Sequence, residues 1–160
     1  MTTEQFDLMN QVLTKIVQSL LAQKITPFLS GSVALCAYAG KLVGEPEDID
    51  FLFRSRDEHD RAVAWLESEL RFKRIHQQAW ESDAADESVN TKLVSPEGVS
   101  FDLACTIGDI ELGFDSTRTI QIDGCAVPVL SLEDLRKSYQ RYFNEKPGVQ
   151  AKLEIIAHLL

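Results

Sequence analysis

The chain has 160 residues, of which 44% are apolar and 26% charged, and its formal net charge is −9. This length and balance predict a single domain spanning residues 1–160, with enough apolar residues for a core. The acidity argues against a nucleic-acid partner, which would call for a basic face. No apolar run reaches about 18 residues and no signal pattern opens the chain, so we expect a cytoplasmic protein without a membrane span.

The predicted elements alternate between helices and strands along the chain. Apolar residues recur at helical spacing in five segments, and β-forming runs separate them. The predicted helices span 4–23, 33–42, 57–70, 131–143 and 149–160. The predicted strands span 26–29, 48–54, 71–80, 91–94 and 99–105, with a hairpin over 119–129, a polar loop over 81–90 and an unassigned connection over 108–117. This order predicts an α+β fold, in which a mixed β-sheet is flanked by helices.

The cysteines and histidines do not predict a metal or disulfide framework. Cys36, Cys105 and Cys125 are odd in number and form no Cys-x-x-Cys pair. The three histidines have no zinc-ligand spacing with them. We therefore interpret the cysteines as thiols of a reducing compartment.

Two acids open the second predicted strand. In Asp48-Ile49-Asp50, residues two apart point to the same face of a strand, so Asp48 and Asp50 project together. Close carboxylates repel unless a cation lies between them. Oxygen ligands of this kind suit Mg²⁺, which takes one or two protein carboxylates and leaves room for substrate phosphates.

The first predicted strand ends in Gly31-Ser32, directly before a helix. A helix N-terminus presents unpaired backbone N–H groups and is an anion site. Gly31 allows a ligand to approach the backbone closely, and Ser32 is a good N-cap. This segment therefore predicts a phosphate site beside the predicted metal site.

Asp102 is a single acid in an apolar strand. Alternation puts Val99, Phe101 and Leu103 on one face and Asp102 on the other. A buried charge without a partner is costly, so Asp102 should meet a cation or a hydrogen-bond donor. The alternative is structural: Asp48 ends a turn, Asp50 caps or forms a salt bridge, and Asp102 pairs with an arginine such as Arg54 or Arg71.

The order of Gly31-Ser32, Asp48-Ile49-Asp50 and Asp102 resembles the nucleotidyltransferase superfamily related to DNA polymerase beta. The resemblance covers about residues 26–140 and is greatest to the small bacterial abortive-infection type and to the lincosamide and aminoglycoside nucleotidyltransferases. It implies a nucleotidyltransferase-like fold and a Mg²⁺-dependent enzyme. Such an enzyme moves a nucleoside monophosphate from a nucleoside triphosphate, such as ATP, to a hydroxyl and releases pyrophosphate.

The resemblance also implies roles for particular residues. Asp48, Asp50 and Asp102 would be the catalytic metal ligands, and Gly31 and Ser32 would cradle the triphosphate. Basic residues of the following helix, Lys137 and Arg141, could reach a nucleotide phosphate or act only as helix C-terminal charges. Larger relatives usually carry Lys-Asp near Lys146, where this chain has Lys146-Pro147.

The sequence does not identify the acceptor or the oligomeric state. A small molecule such as an antibiotic and a macromolecule are both compatible with the resemblance. The chain is shorter than larger relatives that carry a helical acceptor-binding domain, so a homodimer could complete the acceptor pocket. The alternative function is a nucleotidyltransferase-like module without catalysis, acting in binding or as a toxin–antitoxin component.

Overall fold

In the computed structural model, one mixed β-sheet organises the chain, and helices flank it. The structure describes residues 1–81, 87–105, 117–142 and 148–160, with only the backbone described at 78–81, 87–88 and 141–142. Within these ranges the sheet has seven strands in the order β3-β4-β5-β2-β1-β7-β6. The predicted α+β class with a mixed sheet is confirmed.

The described elements are five helices and seven strands. The helices are α1 (Thr3–Ala22), α2 (Gly31–Ala39), α3 (Arg56–Ser68), α4 (Leu132–Tyr142) and α5 (Val149–Leu159). The strands are β1 (Phe28–Ser30), β2 (Asp48–Phe53), β3 (Lys73–Glu81), β4 (Glu87–Val94), β5 (Ser100–Cys105), β6 (Arg118–Ile122) and β7 (Cys125–Val129).

Strand direction is mixed at the centre of the sheet. β2 pairs parallel with β5 and antiparallel with β1, and β1 pairs parallel with β7. The outer pairs β3–β4, β4–β5 and β6–β7 are antiparallel. The predicted hairpin at Asp123-Gly124 is confirmed, since both residues have positive φ, 48° and 77°, as a two-residue hairpin turn requires.

One face of the sheet forms the apolar core. Alternate residues of β2 and β5, among them Ile49, Phe51, Phe101 and Leu103, are at most 1% exposed. Helix α3 packs on this face, where its His59 ring meets Phe53 edge-on. Helix α1 joins the same layer through Ser19, whose hydroxyl accepts a hydrogen bond from Trp65 of α3 at 2.8 Å.

Helix boundaries follow local capping chemistry. The Thr2 side chain caps α1 in a capping box with Gln5. Helix α2 was predicted over 33–42, with Ser32 as its N-cap, and that prediction is wrong. The N-cap is Ser30, and the helix ends earlier, at left-handed Gly40. Gly31 explains the early start, because it adopts a φ of 66° that other residues rarely adopt.

The segment between β3 and β4 differs from its prediction. Residues 81–90 were predicted to be a polar loop, but Glu81 belongs to β3 and residues 87–90 belong to β4, which pairs antiparallel with β3. Residues 82–86 of the predicted loop lie outside the described residues. The connection 108–117 lies almost entirely outside the described residues. All three cysteines are buried thiols. None of the helices in the described ranges is long and apolar enough to cross a membrane.

Candidate functional site

The strand register brings the three predicted acids to one face of the sheet. Asp48 and Asp50 alternate along β2, and Asp102 of β5 is the register partner of Asp50. Directly paired residues point to the same side, which is opposite to the buried Phe51 and Leu103. All three acids are only partly buried. Asp48, Asp50, Asp102 and the nearby Lys92 form what we call the acid face.

A lysine that the sequence interpretation did not single out lies among these acids. Lys92 of β4 is the register partner of Asp102, and its Nζ lies 3.2 Å from Asp48 Oδ2. The side chains of Lys92 and Asp48 are 37% and 21% exposed. The hydrogen bond to Asp48 raises the pKa of Lys92, and the charges of Asp102, Asp48 and Asp50 raise it further. Lys92 is therefore held as a cation on the β4 side of the acid face.

The N-terminus of α2 meets the same acids. Ser30, its N-cap, is the register partner of Asp50. A Cβ added to Gly31 would lie 2.1 Å from Asp50 Oδ2, so a side chain there would occupy the carboxylate's position. The absence of a side chain at Gly31 thus allows both its φ of 66° and the close approach of the Asp50 carboxylate. The predicted phosphate site and the predicted metal site adjoin at this contact.

The last helix contributes a second cation. Lys152 of α5 donates a hydrogen bond from Nζ to Ser32 Oγ at 2.9 Å. The same Nζ lies 5.4 Å from the ring centroid of Tyr139, within the range of a cation–π contact. Burial raises the pKa of Tyr139 to about 12, and the charge of Asp50 adds to this rise. Lys152 and Tyr139 therefore border the Gly31-Ser32 segment.

Lys137 and Arg141, the predicted nucleotide-binding residues of α4, have no described contact with the acid face or with the start of α2. Lys137 lies on α4 with its side chain exposed to solvent. Arg141 lies in the last turn of α4, where only the backbone is described. Lys146-Pro147 lies outside the described residues. The nucleotide contacts of Lys137 and Arg141 therefore stay predictions.

The donor set of the acid face fits Mg²⁺ when a substrate supplies further ligands. Among the described residues, no group of three or more His, Cys, Asp or Glu side chains is arranged to hold a metal ion. Magnesium needs only one or two protein carboxylates when phosphates complete its shell. Asp50 and Asp102, paired in register, supply that number. The ammonium of Lys92 against Asp48 shows that this face already attracts a positive charge.

A separate cavity of about 240 Å³ lies beside α3, on the other side of the sheet. Its ionisable side chains pair with one another: Arg56 contacts Asp60 at 3.0 Å, and Arg74 contacts Glu67 at 2.5 Å. His59 is 1% exposed, and its ring nitrogens contact Asp60 Oδ1 at 2.8 Å and Thr91 Oγ1 at 3.0 Å. This satisfied network supports the fold rather than a reaction.

No family model matches this chain, and no curated protein matches it in sequence. Solved structures of nucleotidyltransferases do match its fold. The chain is similar to ANT(2")-Ia, solved in complex with adenylyl-2"-tobramycin, with a TM-score of 0.62, 17% identity and coverage of 94% of this chain and 88% of that one. It is similar to a nucleotidyltransferase candidate from Thermotoga maritima, with a TM-score of 0.62, 21% identity and coverage of 99% and 94%.

A third similar structure is the lincosamide antibiotic adenylyltransferase LnuA, solved with lincomycin bound. The TM-score is 0.58 at 16% identity, over 92% of this chain and 96% of that one. At these identities the similarity establishes the fold. The nucleotidyltransferase-like fold that the sequence resemblance implied is confirmed.

Proposed function

We propose that this chain is a nucleotidyltransferase that moves a nucleoside monophosphate from a nucleoside triphosphate to a hydroxyl. One observation carries the proposal. Asp50 is paired in register with both Ser30, at the start of α2, and Asp102 on β5. The anion-binding end of a helix and a pair of carboxylates thus adjoin, as a metal-bound triphosphate requires.

Each part of the site has a role in this reaction. The first backbone N–H groups of α2 face the triphosphate, and Gly31 lets it approach. Lys152, which donates a hydrogen bond to Ser32, would supply a positive charge beside the phosphates of the triphosphate. Asp50 and Asp102 would hold Mg²⁺, which when bound would neutralise charge on the attacking and leaving oxygens, and Asp48 is the third carboxylate of the same face.

The transfer balances without any further reactant. The acceptor oxygen forms a bond to the α-phosphorus, the bond between this phosphorus and the α–β bridging oxygen breaks, and pyrophosphate leaves with the electron pair. The hydroxyl proton passes to a base, and Asp102 is the carboxylate of this face that we propose for it. Most of the rate enhancement then comes from positioning and charge neutralisation.

The donor and acceptor are proposed from similarity and charge. The names of two similar structures refer to adenylyl transfer and to antibiotics, which supports ATP as the first donor to test and a small polyhydroxylated molecule as the acceptor. The net charge of −9 favours a cationic or neutral acceptor over a nucleic acid.

A module without catalysis, as in a toxin–antitoxin pair, is the second candidate. One observation favours it: Lys92 forms an ion pair with Asp48, as expected of an acid whose role is to stabilise the fold. The two candidates differ in whether chemistry occurs when donor, Mg²⁺ and acceptor are all present.

The test is label transfer from each of the four common nucleoside triphosphates, with Mg²⁺ and a panel of aminoglycoside, lincosamide and metabolite acceptors. We expect transfer by the wild type and a loss of at least about 100-fold in Asp102→Asn, the lower end of what a positioned general base contributes. Glu67→Gln is the matched control, because Glu67 is an acid on α3 that pairs with Arg74. Bound nucleotide without transfer to any acceptor would favour the second candidate.

A further inference from the structure

We propose that the ammonium of Lys92 is the resident counter-ion of the acid face, and that a divalent cation gains Asp48 only by displacing it. The inference rests on the proposed function, since it concerns how the same acids accept their metal. It assigns a role to a residue that the proposed reaction does not otherwise use.

The geometry places one cation among three acids. Lys92 Nζ lies 3.2 Å from Asp48 Oδ2, while its own strand position faces Asp102. A divalent ion that used a carboxylate oxygen of Asp48 would compete with this contact, because like charges repel at such distances. Lys92 is also 37% exposed, so its long side chain has room to leave.

The charge balance predicts when displacement occurs. The three carboxylates of the acid face outnumber its one ammonium, so Lys92 alone does not balance them. A triphosphate at the α2 N-terminus, beside Asp50, adds negative charge to the acid face. The divalent ion should therefore bind weakly alone and more tightly together with nucleotide, and Lys92 is the residue that sets this dependence.

The experiment measures free Mn²⁺ by electron paramagnetic resonance, with and without ATP, in the wild type and three variants. Lys92→Met removes the ammonium, and Lys92→Arg keeps the charge. Lys15→Met is the matched control, because Lys15 forms a similar ion pair with Glu97, at 3.3 Å, on α1. Lys92→Gln replaces Lys92→Met in every comparison should the methionine variant fail to fold.

Without ATP, we expect Lys92→Met to bind Mn²⁺ at least about five-fold more tightly than the wild type does. This factor corresponds to the free energy of one exposed ion pair, which Mn²⁺ no longer has to break. Lys92→Arg and Lys15→Met should match the wild type. In a thermal melt, Mn²⁺ should stabilise Lys92→Met more than it stabilises the wild type.

The contrary outcomes separate the two proposals. If the wild type binds Mn²⁺ together with ATP but Lys92→Met gains no affinity for Mn²⁺ alone, the counter-ion role is wrong and the proposed function stands. If no protein binds Mn²⁺ even with ATP, both are wrong. Equal gains in Lys92→Met and Lys15→Met would show a general charge effect and would also overturn the inference.

Discussion

Substitution of Gly31 by alanine tests whether the contact between α2 and the acid face is as close as the structure shows. The added Cβ would lie 2.1 Å from Asp50 Oδ2 and 2.9 Å from its Cγ, in a residue whose φ is 66°. Left-handed backbone costs an alanine about 1–2 kcal/mol. Moving the Asp50 carboxylate away should add about 1–3 kcal/mol, the usual cost of overpacking.

Gly40→Ala is the matched control for this prediction. Gly40 has a φ of 70°, yet a Cβ there would meet nothing within 4 Å. In a domain of this size, each kcal/mol lowers the melting temperature by about 2–4 °C. We therefore expect thermal melts to show Gly31→Ala unfolding about 5 °C below Gly40→Ala, and ATP with Mg²⁺ to stabilise Gly40→Ala only.

A double-mutant cycle tests whether Gly31 and Asp50 are in direct contact. Asp50→Ala removes the two nearest atoms of the clash, Oδ2 and Cγ, so Gly31→Ala should cost less stability in that background than in the wild type. Two substitutions in direct contact usually couple by about 0.5 kcal/mol or more, whereas independent ones add within about 0.3–0.5 kcal/mol. Additive losses would mean that Gly31 and Asp50 are not packed as described.

Three further predictions use simpler assays. In thermal melts, ATP with Mg²⁺ near 100 times its dissociation constant should add about 2.7 kcal/mol, or about 5–10 °C, to the wild type and nothing to Asp50→Asn; an equal shift in both would exclude Asp50 as a ligand. Burial lowers the pKa of His59, so the unfolded chain takes up the proton first as pH falls below about 6.5. Urea unfolding should show stability lost as pH falls below about 6.5, less so in His59→Gln, and an equal loss in both would contradict this cause. With a net charge of −9, gel shifts at physiological salt should show no submicromolar binding to tRNA or DNA; a tight complex would reveal a local basic patch.

Strand alternation made the acids predictable from the sequence. A period of two puts Asp48 and Asp50 on one face of β2 and puts Asp102 on the face of β5 opposite Phe101, and the family resemblance then grouped the three acids. In the structure Val94 pairs with Ser100, and Lys92 therefore lies opposite Asp102. The sequence pattern alone, read with a four-residue turn at 95–98, would pair Val94 with Val99 and shift Lys92 by one position, so it did not place this lysine among the acids.

The remaining site residues depend on contacts that local patterns do not encode. Lys152 lies 120 positions from Ser32 along the chain. No spacing rule predicts that α5 docks against the start of α2. The N-cap was predicted at Ser32, but in the structure it is Ser30. The helix can begin at Gly31 because this glycine adopts a φ of 66°, which few other residues can adopt. Tertiary packing and one glycine thus account for what the sequence interpretation missed.

Replacing Lys152 tests which cation contacts the nucleotide. Lys152 already donates to Ser32 at 2.9 Å, whereas Lys137 is exposed to solvent on α4. A hydrogen bond to a charged group contributes about 1.5–3 kcal/mol, so Lys152→Met should weaken ATP binding by about ten-fold or more in calorimetric titrations with Mg²⁺. Lys137→Met, which removes the same charge from the neighbouring helix, should leave the affinity within about two-fold.

The pair of lysine variants separates a local contact from the general field of the protein. Both remove one positive charge, so any long-range electrostatic effect on ATP should be the same in both and should fade as salt is added. A difference that persists at high salt identifies direct contact by Lys152. If Lys137→Met proved the weaker binder, the phosphates would extend toward α4, as the sequence resemblance implied, and the assignment of the phosphate-binding cation to α5 would be wrong.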